Sequence, residues 1–289
     1  MEQKESKKNM KNVIVDLGNY NTKYLGENKG MFSSKISTTF NPTAELYERI
    51  EFNGTTTYIT VGQLEREFSK VDKNYMPILL YAISKATTDT NINLCLLLPV
   101  NQLPKKERMI QELKGKSFDF KVKDSTRKVF IHNVAILPEG YVSYYSLDNT
   151  ENDDILIIDI GSRTVNYASF IEGKIEKSFT NKIGTYDLYS KVKELENSKG
   201  EDYVEEDIER LIKRGRIKVD HQLYLDFLKE ILNYTKGQIN IKNYTVYFTG
   251  GGSLLLEDYI KSNTPCNIHQ DAVYSNVIGA SNLCKQVWR

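Results

Sequence analysis

The sequence has few cysteines, few prolines and no long apolar run. Only three of its 289 residues are cysteine and six are proline. An odd number of cysteines without a repeated spacing predicts free thiols in a reducing compartment, so we expect a cytoplasmic protein. Apolar runs such as those at residues 94–100 and 155–158 are far shorter than the roughly 20 residues that cross a bilayer. Residues 1–11 carry charge but no apolar segment, which predicts a mobile leader rather than a secretion signal.

The sequence also lacks an excess of charge of either sign. Lysine and arginine number 39 and aspartate and glutamate 38, which gives a formal net charge of +1. This balance argues against a broad basic surface, so we expect neither direct binding to nucleic acid nor a membrane partner. Hydrophobic residues at 40% and charged residues at 27% are typical of globular proteins and exclude the disordered and fibrous classes. The chain is long enough for about two domains.

Strand hairpins alternate with helices in two similar halves of the sequence. Asn53-Gly54 stands between two strand-like segments, an arrangement that strongly predicts a hairpin. Residues 93–98 form a continuous apolar run, which is typical of a strand buried on both faces. The sequence therefore predicts an α/β protein with an internal duplication. Helices are expected at 75–85, at 104–113, from Pro138 towards 145, at 203–214, at 220–236 with Asp220 as N-cap, from about 254, and at 275–286.

A polar stretch at residues 148–154 (DNTENDD) separates the two halves. Polar residues without hydrophobic periodicity are typical of a connection between folded parts. We therefore predict a first domain at residues 12–150 and a second at 151–272. The C-terminal helix, residues 273–289, is expected to return to the first domain.

The main indication of function is a repeated turn motif. Asp16-Leu-Gly-Asn-Tyr-Asn-Thr begins the first half, and Asp159-Ile-Gly-Ser-Arg-Thr begins the second. In each copy a buried strand ends in an aspartate, and a glycine, small polar residues and a returning strand follow. Such a turn directs backbone N–H groups at a phosphate, and its aspartate can hold Mg²⁺ through water. Two of these turns facing each other would bind a nucleoside triphosphate between two domains, whereas a single copy is also typical of an ordinary hairpin.

A third glycine-rich segment, residues 249–253 (TGGGS), follows a strand and precedes a helix. The N–H groups at the start of a helix can meet an anion, although this segment is equally typical of a plain strand-to-helix turn. Other nucleotide-binding and catalytic motifs are missing from the sequence. It has no G-x-x-x-x-G-K-[ST] loop, no G-x-G-x-x-G because position 255 is leucine, no zinc-type spacing of histidine and cysteine, and no G-x-S-x-G.

Five segments together resemble the actin/sugar-kinase/DnaK-type ATPase superfamily. They are VIVDLGNYNTK, ILPEGYVSYY, IIDIGSRTVNY, YFTGGGSLLL and YSNVIGASNL. In the order of that superfamily they correspond to phosphate 1, connect 1, phosphate 2, adenosine and connect 2, and they extend from residue 13 to residue 283. The resemblance implies two similar actin-like (ribonuclease H-like) domains that flank a nucleotide cleft.

The resemblance also implies roles for individual residues. Asp16 and Asp159 would hold Mg²⁺ through water, and Glu139 would orient or activate the attacking water. A carboxylate at a helix start beside the cleft can accept a proton from water, although a glutamate there can also simply stabilise the helix dipole. Glu209 and Lys213 are expected either to reach the ribose or base or to form an exposed i,i+4 ion pair. The residues expected to contact the phosphates or the nucleoside are Gly18, Asn19, Asn21, Thr22, Gly161, Ser162, Arg163, Thr164, Thr249, Gly250, Gly251 and Gly252.

Within the superfamily the sequence is similar to the ParM/StbA bacterial actin-like proteins, which segregate plasmids. This similarity implies an ATPase that uses ATP with Mg²⁺, or GTP as an alternative, and whose nucleotide-bound form assembles into filaments. A DNA-binding adaptor protein of the ParR type would link the filament to a plasmid centromere. Two alternatives stay open: a monomeric small-molecule kinase or phosphohydrolase, and a nucleotide-binding scaffold that does not polymerise.

Overall fold

The chain folds into two compact units. The computed structural model describes residues 10–39, 43, 46–65, 67–148, 150, 153–263 and 265–288. The first unit consists of Met1–Leu97, Pro104–Ile136 and Ser281–Arg289, and the second of Leu98–Leu103 and Leu137–Ala280. The division falls after Ile136, whereas the sequence placed a boundary at residue 150. Residues 1–9 of the predicted leader and residues 149, 151 and 152 of the polar stretch lie outside the described residues.

A nine-stranded sheet with the order β3-β2-β1-β7-β9-β8-β5-β6-β4 is the framework of the first unit. Two helices, α1 (Met76–Ala86) and α2 (Lys106–Leu113), follow the strands β6 and β7 in the chain, and a 3₁₀-helix at Val100–Lys105 leads into α2. The strands are β1 (Lys11–Leu17), β2 (Asn21–Leu25), β3 (Lys29–Ser33), β4 (Ile36–Ser37), β5 (Arg49–Phe52), β6 (Thr55–Ile59), β7 (Asn91–Leu98), β8 (Lys116–Val122) and β9 (Ser125–Pro138).

The hairpin predicted at Asn53-Gly54 is confirmed. β5 and β6 pair antiparallel, with Phe52 opposite Thr55 at the turn. Asn53 and Gly54 have φ angles of 49° and 76°. Left-handed φ angles at both central residues are what a type I′ turn requires, and this turn matches the twist of the two strands that it joins.

The helix predicted at residues 75–85 is α1. Pro77 lies in its first turn, where a backbone N–H has no partner within the helix in any case. Leu79, Leu80 and Ile83 are fully buried, and the helix packs on β1 and β2. It therefore covers the strand that carries the first aspartate motif.

The second unit has a five-stranded sheet with the order β12-β11-β10-β13-β14. Its strands are β10 (Ile155–Ile160), β11 (Val165–Ile171), β12 (Lys174–Asn181), β13 (Thr245–Thr249) and β14 (Asn267–Ile268). Its helices are α3 (Thr185–Asn197), α4 (Glu205–Lys213), α5 (His221–Lys236), α6 (Gly251–Leu255), α7 (Glu257–Asn263) and α8 (Ser275–Val287), with 3₁₀-helices at Val142–Ser146 and Ile241–Asn243. Residues 281–289, which include the end of α8, belong to the first unit.

The strand β10 has apolar cores on both of its faces. Leu156, Ile158 and Ile160 pack into a cluster with residues of α5. Ile155 and Ile157 pack into a second cluster that includes Tyr144 of the 3₁₀-helix. Because successive side chains of a strand point to opposite faces, the next residue in the second series is residue 159. The aspartate of the second motif therefore points to the face that the 3₁₀-helix covers.

The two sheets confirm the predicted α/β class and its duplication. β1 pairs antiparallel with β2 and parallel with β7. β10 pairs antiparallel with β11 and parallel with β13. Each aspartate motif thus occupies the same position in its own sheet, at the end of a strand that is flanked by its returning strand and by a parallel neighbour.

The helix predicted to begin at Pro138 is wrong. Pro138 is instead the last residue of β9, and only Val142–Ser146 form a 3₁₀-helix. The backbone N–H of Glu139 donates to the carbonyl of Leu98 at 2.9 Å, and Gly140 has a φ angle of 74°, which a right-handed helix cannot contain. The helix expected from about residue 254 begins at Gly251.

Several smaller predictions are confirmed. The side chain of Asp220 accepts a hydrogen bond from the N–H of Gln222 and caps α5. The three cysteines are free thiols, of which Cys95 and Cys284 are buried and Cys266 is partly exposed.

Within the part of the chain that the structure describes, every helix is too short or too polar to span a bilayer.

Candidate functional site

The first aspartate turn connects β1 to β2 and is tightly packed. A side chain at Gly18 would overlap the carbonyl oxygen of Asn21, so the close approach of the two backbones requires glycine here. Ser34 holds the turn from the neighbouring strand segment, because its hydroxyl donates to the carbonyl of Gly18 at 2.6 Å. The buried hydroxyl of Thr22 lies 2.9 Å from the same hydroxyl of Ser34. Thr22 therefore supports the turn, and its contact with the nucleotide stays a prediction.

The carboxylate of Asp16 lies between two lysines. Its Oδ2 accepts from Lys23 Nζ at 3.0 Å and its Oδ1 accepts from Lys70 Nζ at 2.7 Å. Burial by itself raises the pKa of Asp16, but the charges and hydrogen bonds of Lys23 and Lys70 outweigh burial and hold the pKa well below its usual range. Asp16 is therefore ionised at every physiological pH. Lys23, on the returning strand β2, therefore points to Asp16.

A third lysine contacts the same turn. Lys73 Nζ donates to the carbonyl of Leu17 at 3.2 Å and lies 3.5 Å from Oδ1 of Asn19. Lys70 and Lys73 are only 4% and 8% exposed. Sequence reasoning missed both residues, because a lysine about fifty positions from a motif carries no local sign that it folds back onto it.

The second aspartate turn is fixed to the start of α3. The N–H of Gly161 donates to the carbonyl of Thr164 at 2.8 Å, which closes the turn. The carbonyls of Gly161 and Ser162 accept from the N–H groups of Thr185 and Tyr186 at 3.1 and 2.9 Å. Because the turn contributes carbonyl acceptors to these two bonds, its own N–H groups are not used to attach it to α3.

Arg163 does not extend freely from this turn. Its guanidinium lies 4.1 Å from the centre of the Tyr186 ring, a distance typical of a cation–π contact. Arg163 was predicted to contact the nucleotide, and in this structure it packs on α3.

Glu139 and Asn166 form a buried pair in the second unit. Glu139 is 6% exposed and Asn166 is 1% exposed. Asn166 Nδ2 donates to Oε2 of Glu139 at 3.0 Å, and its Oδ1 accepts from the hydroxyl of Thr180 at 2.8 Å. The hydroxyl of Thr180 can either donate or accept, so it does not determine the orientation of the Asn166 amide. The carboxylate of Glu139 needs a donor, so it requires Nδ2 to face it. Asn166 Nδ2 also lies 3.3 Å from Oγ1 of Thr164, so Glu139 and the second turn share one amide.

Asn276, at the start of α8, forms hydrogen bonds both to Gly140, which follows Glu139, and to Asp159. Its Oδ1 accepts from the N–H of Gly140 at 2.9 Å and from the hydroxyl of Ser143 at 2.8 Å. Its Nδ2 donates to Oδ2 of Asp159 at 2.8 Å. One buried amide thus sets the spacing between the segment that carries Glu139 and the carboxylate of the second motif. The sequence included Asn276 in the connect 2 segment but gave it no role.

The glycine-rich segment after β13 lies against the same carboxylate. Gly250 has a φ angle of 82°, and a Cβ there would lie 2.5 Å from Oδ1 of Asp159 and would overlap the carbonyl of Ile160. Gly251 is exposed, with open space at its Cβ position. Thr249 is fully buried, and its hydroxyl bonds to Ser275 rather than pointing outwards. Within the predicted segment, Gly251 is therefore the exposed position, whereas Thr249, Gly250 and the buried Gly252 shape the backbone.

Glu209 and Lys213 pair with each other on α4. The Lys213 side chain is 72% exposed, and the contact is the i,i+4 ion pair that the sequence gave as the alternative to nucleotide binding. Exposed ion pairs of this kind are common on helix surfaces and contribute little stability. This pair is therefore not evidence for a bound ligand.

The two aspartates differ in their fit to Mg²⁺. Both oxygens of Asp16 already accept from ammonium groups, which does not fit a cation site. Asp159 accepts from the neutral amide of Asn276, which orients the carboxylate without cancelling its charge, and this arrangement fits a metal held through water. Among the described residues no group of three or more His, Cys, Asp or Glu side chains could ligate a metal directly.

Comparisons with known proteins bear on the fold of the chain. Residues 15–141 match the family model for the N-terminal domain of actin-like proteins. Curated protein sequences give no match. Among solved structures, a 15-stranded ParM filament from Clostridium botulinum superposes with a TM-score of 0.81 at 19% identity, over 96% of this chain and 99% of that one. The archaeal actin homologue Ta0583 gives a TM-score of 0.79 at 17% identity, over 96% and 100% of the two chains.

A third solved structure is a filament of AlfA bound to AMPPNP. It has a TM-score of 0.68 and 21% identity, over 96% of this chain and 98% of that one. Together these likenesses confirm that the chain has the actin-like fold, as the resemblance of the five segments predicted.

Proposed function

We propose that this chain, which has the actin-like fold, is an ATPase whose nucleotide-bound form assembles into filaments. The observation that carries the proposal is the buried network of the second unit. There the amides of Asn276 and Asn166 hold Asp159, Glu139 and the turn at Gly161 in fixed positions. Buried carboxylates fixed in this way are costly to the fold, and they are typical of a site that does chemistry.

In this proposal the residues of the chain divide the work of hydrolysis. The N–H groups of the turns at Gly18 and Gly161 bind phosphate oxygens. Glu139 orients a water molecule and accepts its proton, and the hydrogen bond from Asn166 holds the Glu139 carboxylate in place. Asp159 would hold Mg²⁺ through water, and a bound Mg²⁺ neutralises charge on the phosphates. Phosphoryl transfer needs chiefly this positioning and charge compensation.

The AlfA structure contains AMPPNP, which supports ATP as the nucleotide, with GTP as the alternative. The same structure and the ParM structure are filaments, which supports self-assembly of this chain. Head-to-tail contacts between identical subunits need not close into a ring, so filaments follow from one repeated contact. Hydrolysis would then remove contacts to the terminal phosphate and shift the population away from the polymerising conformation.

We further propose that the filament segregates plasmid DNA. The net charge of +1 gives no reason to expect direct binding to DNA. A ParR-like adaptor protein, bound to a centromere site on the plasmid, would link the DNA to a filament end. A plasmid that carries the gene should then be lost faster from dividing cells when Glu139 is replaced by alanine than when it carries the unchanged gene.

The first experiment is light scattering and pelleting across a series of protein concentrations. Each sample receives Mg²⁺ with ATP, GTP, ADP or no nucleotide, and phosphate release is followed in parallel. We expect polymer above a critical concentration with triphosphate only, and phosphate release that follows polymer formation. Turnover without polymer at any concentration would favour the kinase or phosphohydrolase alternative. Binding without turnover or polymer would favour the scaffold.

A further inference from the structure

Three basic side chains lie on the loop that follows α4 in the second unit. We call residues 214–218 the basic loop, and its charged residues are Arg214, Arg216 and Lys218. All three are exposed, and none of them forms an ion pair with a residue that the structure describes. The sequence from residue 210 to residue 219 contains no aspartate or glutamate. The positive charge of the loop is therefore not compensated within the described part of the chain.

The basic loop has a fixed backbone. The N–H of Gly215 donates to the carbonyl of Ile212 at 2.8 Å. The N–H of Arg216 donates to the carbonyl of Leu211 at 2.9 Å. These are the two bonds of a Schellman motif, in which a residue with a positive φ ends a helix, and Gly215 has a φ angle of 69°. Ile217 is 3% exposed and packs in one cluster with Leu211. Because the loop is already ordered, a partner can bind its charges without a large loss of conformational freedom.

The helix α5 separates the basic loop from the starts of the strands β10 and β13. The loop leads into the N-terminus of α5, and the 16 residues of this helix span about 24 Å. Lys236, the last residue of α5, lines one groove with Thr245 and Val246, the first residues of β13. The N–H of Thr245 donates at 2.8 Å to the carbonyl of Asp154, which directly precedes β10. The starts of the two strands therefore lie at the far end of α5 from the basic loop.

Negative charge exceeds positive charge at that far end. Asp153, Asp154 and Glu172, which we call the acidic patch, are exposed and line a depression of about 520 Å³. Glu172 lies in the turn between β11 and β12, and because β11 pairs antiparallel with β10, this turn is next to the start of β10. Lys242 also lines the depression, so three carboxylates meet one ammonium group there. None of the three carboxylates has an ion pair within the described ranges of the chain.

The basic loop and the acidic patch cannot compensate each other within one molecule. The length of α5 is about 24 Å, and at about 0.1 M salt the Debye length is about 10 Å, so their mutual attraction is screened. Two copies placed head to tail bring the loop of one to the patch of the next, with three basic groups facing three carboxylates. Nucleic acid fits less well, because an anionic polymer on the basic loop gives the acidic patch no partner.

We propose that the basic loop of one copy binds the acidic patch of the next copy and that this contact joins the subunits of the filament. The inference rests on the proposed function, since it names the surfaces through which the proposed filament assembles. The contact is heterologous, so every subunit that joins presents the same surface for the next one. Complementary charge of this kind speeds association and selects the partner.

The test measures polymer by light scattering and pelleting across a series of protein concentrations, with Mg²⁺ and the β,γ-imido analogue of ATP. The loop variant carries Arg214→Glu and Arg216→Glu. The patch variant carries Asp154→Lys and Glu172→Lys. A further chain carries all four exchanges. Circular dichroism melting curves establish that each protein is folded, and calorimetry measures its binding of the analogue.

The matched controls reverse the same number of charges on the helices α3 and α5 of the same unit. Lys191→Glu with Lys229→Glu matches the loop variant, and these side chains are 53% and 63% exposed. Asp226→Lys with Glu230→Lys matches the patch variant, and these side chains are 58% and 48% exposed. Because exposed ion pairs contribute little stability, we expect both controls to polymerise within about threefold of the critical concentration of the unchanged protein.

We expect the loop variant and the patch variant each to raise the critical concentration by about 10- to 100-fold, because each exchange places like charges opposite each other. An equal mixture of the two variants should polymerise with alternating subunits, since every reversed surface then meets its opposite. The chain with all four exchanges should polymerise alone. For the unchanged protein, an increase in ionic strength from about 0.1 M to about 1 M should raise the critical concentration, because the Debye length falls from about 10 Å to about 3 Å.

The outcomes separate this inference from the proposed function. If the unchanged protein polymerises and both variants do so at the same concentration, the two surfaces do not meet and the inference is wrong. Loss of polymer that the mixture does not restore also overturns it, because the reversed charges then act on different partners. Loss of nucleotide binding in the loop variant would place the basic loop at the nucleotide instead. If the unchanged protein forms no polymer at any concentration, the filament assembly of the proposed function itself fails.

Discussion

Replacing Asn276 by aspartate should make the stability of the second unit strongly dependent on pH. The exchange keeps the shape of the side chain but turns the amide that now donates to Asp159 Oδ2, at 2.8 Å, into a second carboxylate. At that distance and an effective dielectric constant of about 20, two unit charges repel by about 6 kcal/mol. The pair avoids most of this repulsion by keeping one proton.

The free energy needed to keep this proton bound determines how strongly the stability of the variant depends on pH. Holding a proton at pH 7 on a carboxyl with an ordinary pKa of about 3.9 costs about 4 kcal/mol, and at pH 4.5 the same step costs about 1 kcal/mol. The shared proton is bound in the folded state and released in the unfolded state. Stability therefore falls as pH rises from about 4 towards 7, which is the direction for an acid whose pKa is raised by folding. We expect the variant to lose about 3 kcal/mol more at pH 7 than at pH 4.5.

Urea unfolding followed by circular dichroism at the two pH values measures this difference. Asn243→Asp is the matched control, because Asn243 is exposed and its exchange adds the same charge, with an expected effect within about 0.5 kcal/mol. The pH dependence of the unfolding free energy of the unchanged protein is measured in the same way and subtracted from that of each variant. Equal pH dependence of the Asn276 and Asn243 variants would refute the contact between Asn276 and Asp159 as the structure places it.

Three further predictions concern the proposed site. Glu139→Ala should leave Mg²⁺–ATP binding largely intact and slow phosphate release by about 10²-fold or more, the usual contribution of a general base, and an unchanged rate would remove Glu139 from the mechanism. Gly250→Ala should unfold the second unit or abolish binding, because its φ angle is 82° and a Cβ would lie 2.5 Å from the Asp159 carboxylate, whereas Gly251→Ala, with open space, should melt within a few degrees of the unchanged protein. Asp159→Asn should remove the Mg²⁺ dependence of ATP binding in calorimetry, and Asp16→Asn should preserve it, because Asp16 is engaged by lysines; the reverse result would contradict the fit of Asp159 to the metal.

The parts of the fold that the sequence could predict are those set by neighbouring residues. The hairpin at Asn53-Gly54 follows from the φ angles that these two residues tolerate. The buried strands β1 and β10 follow from apolar runs that end in an aspartate. The cap of α5 at Asp220 follows from one side chain and the N–H two residues on. In each case the decisive interaction lies within a few positions of the pattern that predicts it.

The parts that could not be predicted depend on contacts between distant positions. Lys70 reaches Asp16 and Asn276 reaches Asp159 across long separations in sequence. Lysine and asparagine are most often exposed, so nothing in their type or spacing indicated a buried role. The helix predicted to begin at Pro138 is wrong for a different reason. Proline suits the first turn of a helix and the end of a strand equally, and here the hydrogen bond between Glu139 and Leu98 decides for the strand.

The different burial of the three thiols gives the protein a natural labelling site. A maleimide dye needs access to a thiolate, and Cys95 and Cys284 are buried whereas Cys266 is partly exposed next to β14, the edge strand of the second sheet. Burial raises the pKa of Cys266, so its reaction with the dye will be slower than that of a fully exposed thiol. A mildly alkaline buffer will increase the rate. A fluorophore attached there would mark one defined point of each molecule, so the proposed assembly can be tested under the microscope without an engineered cysteine.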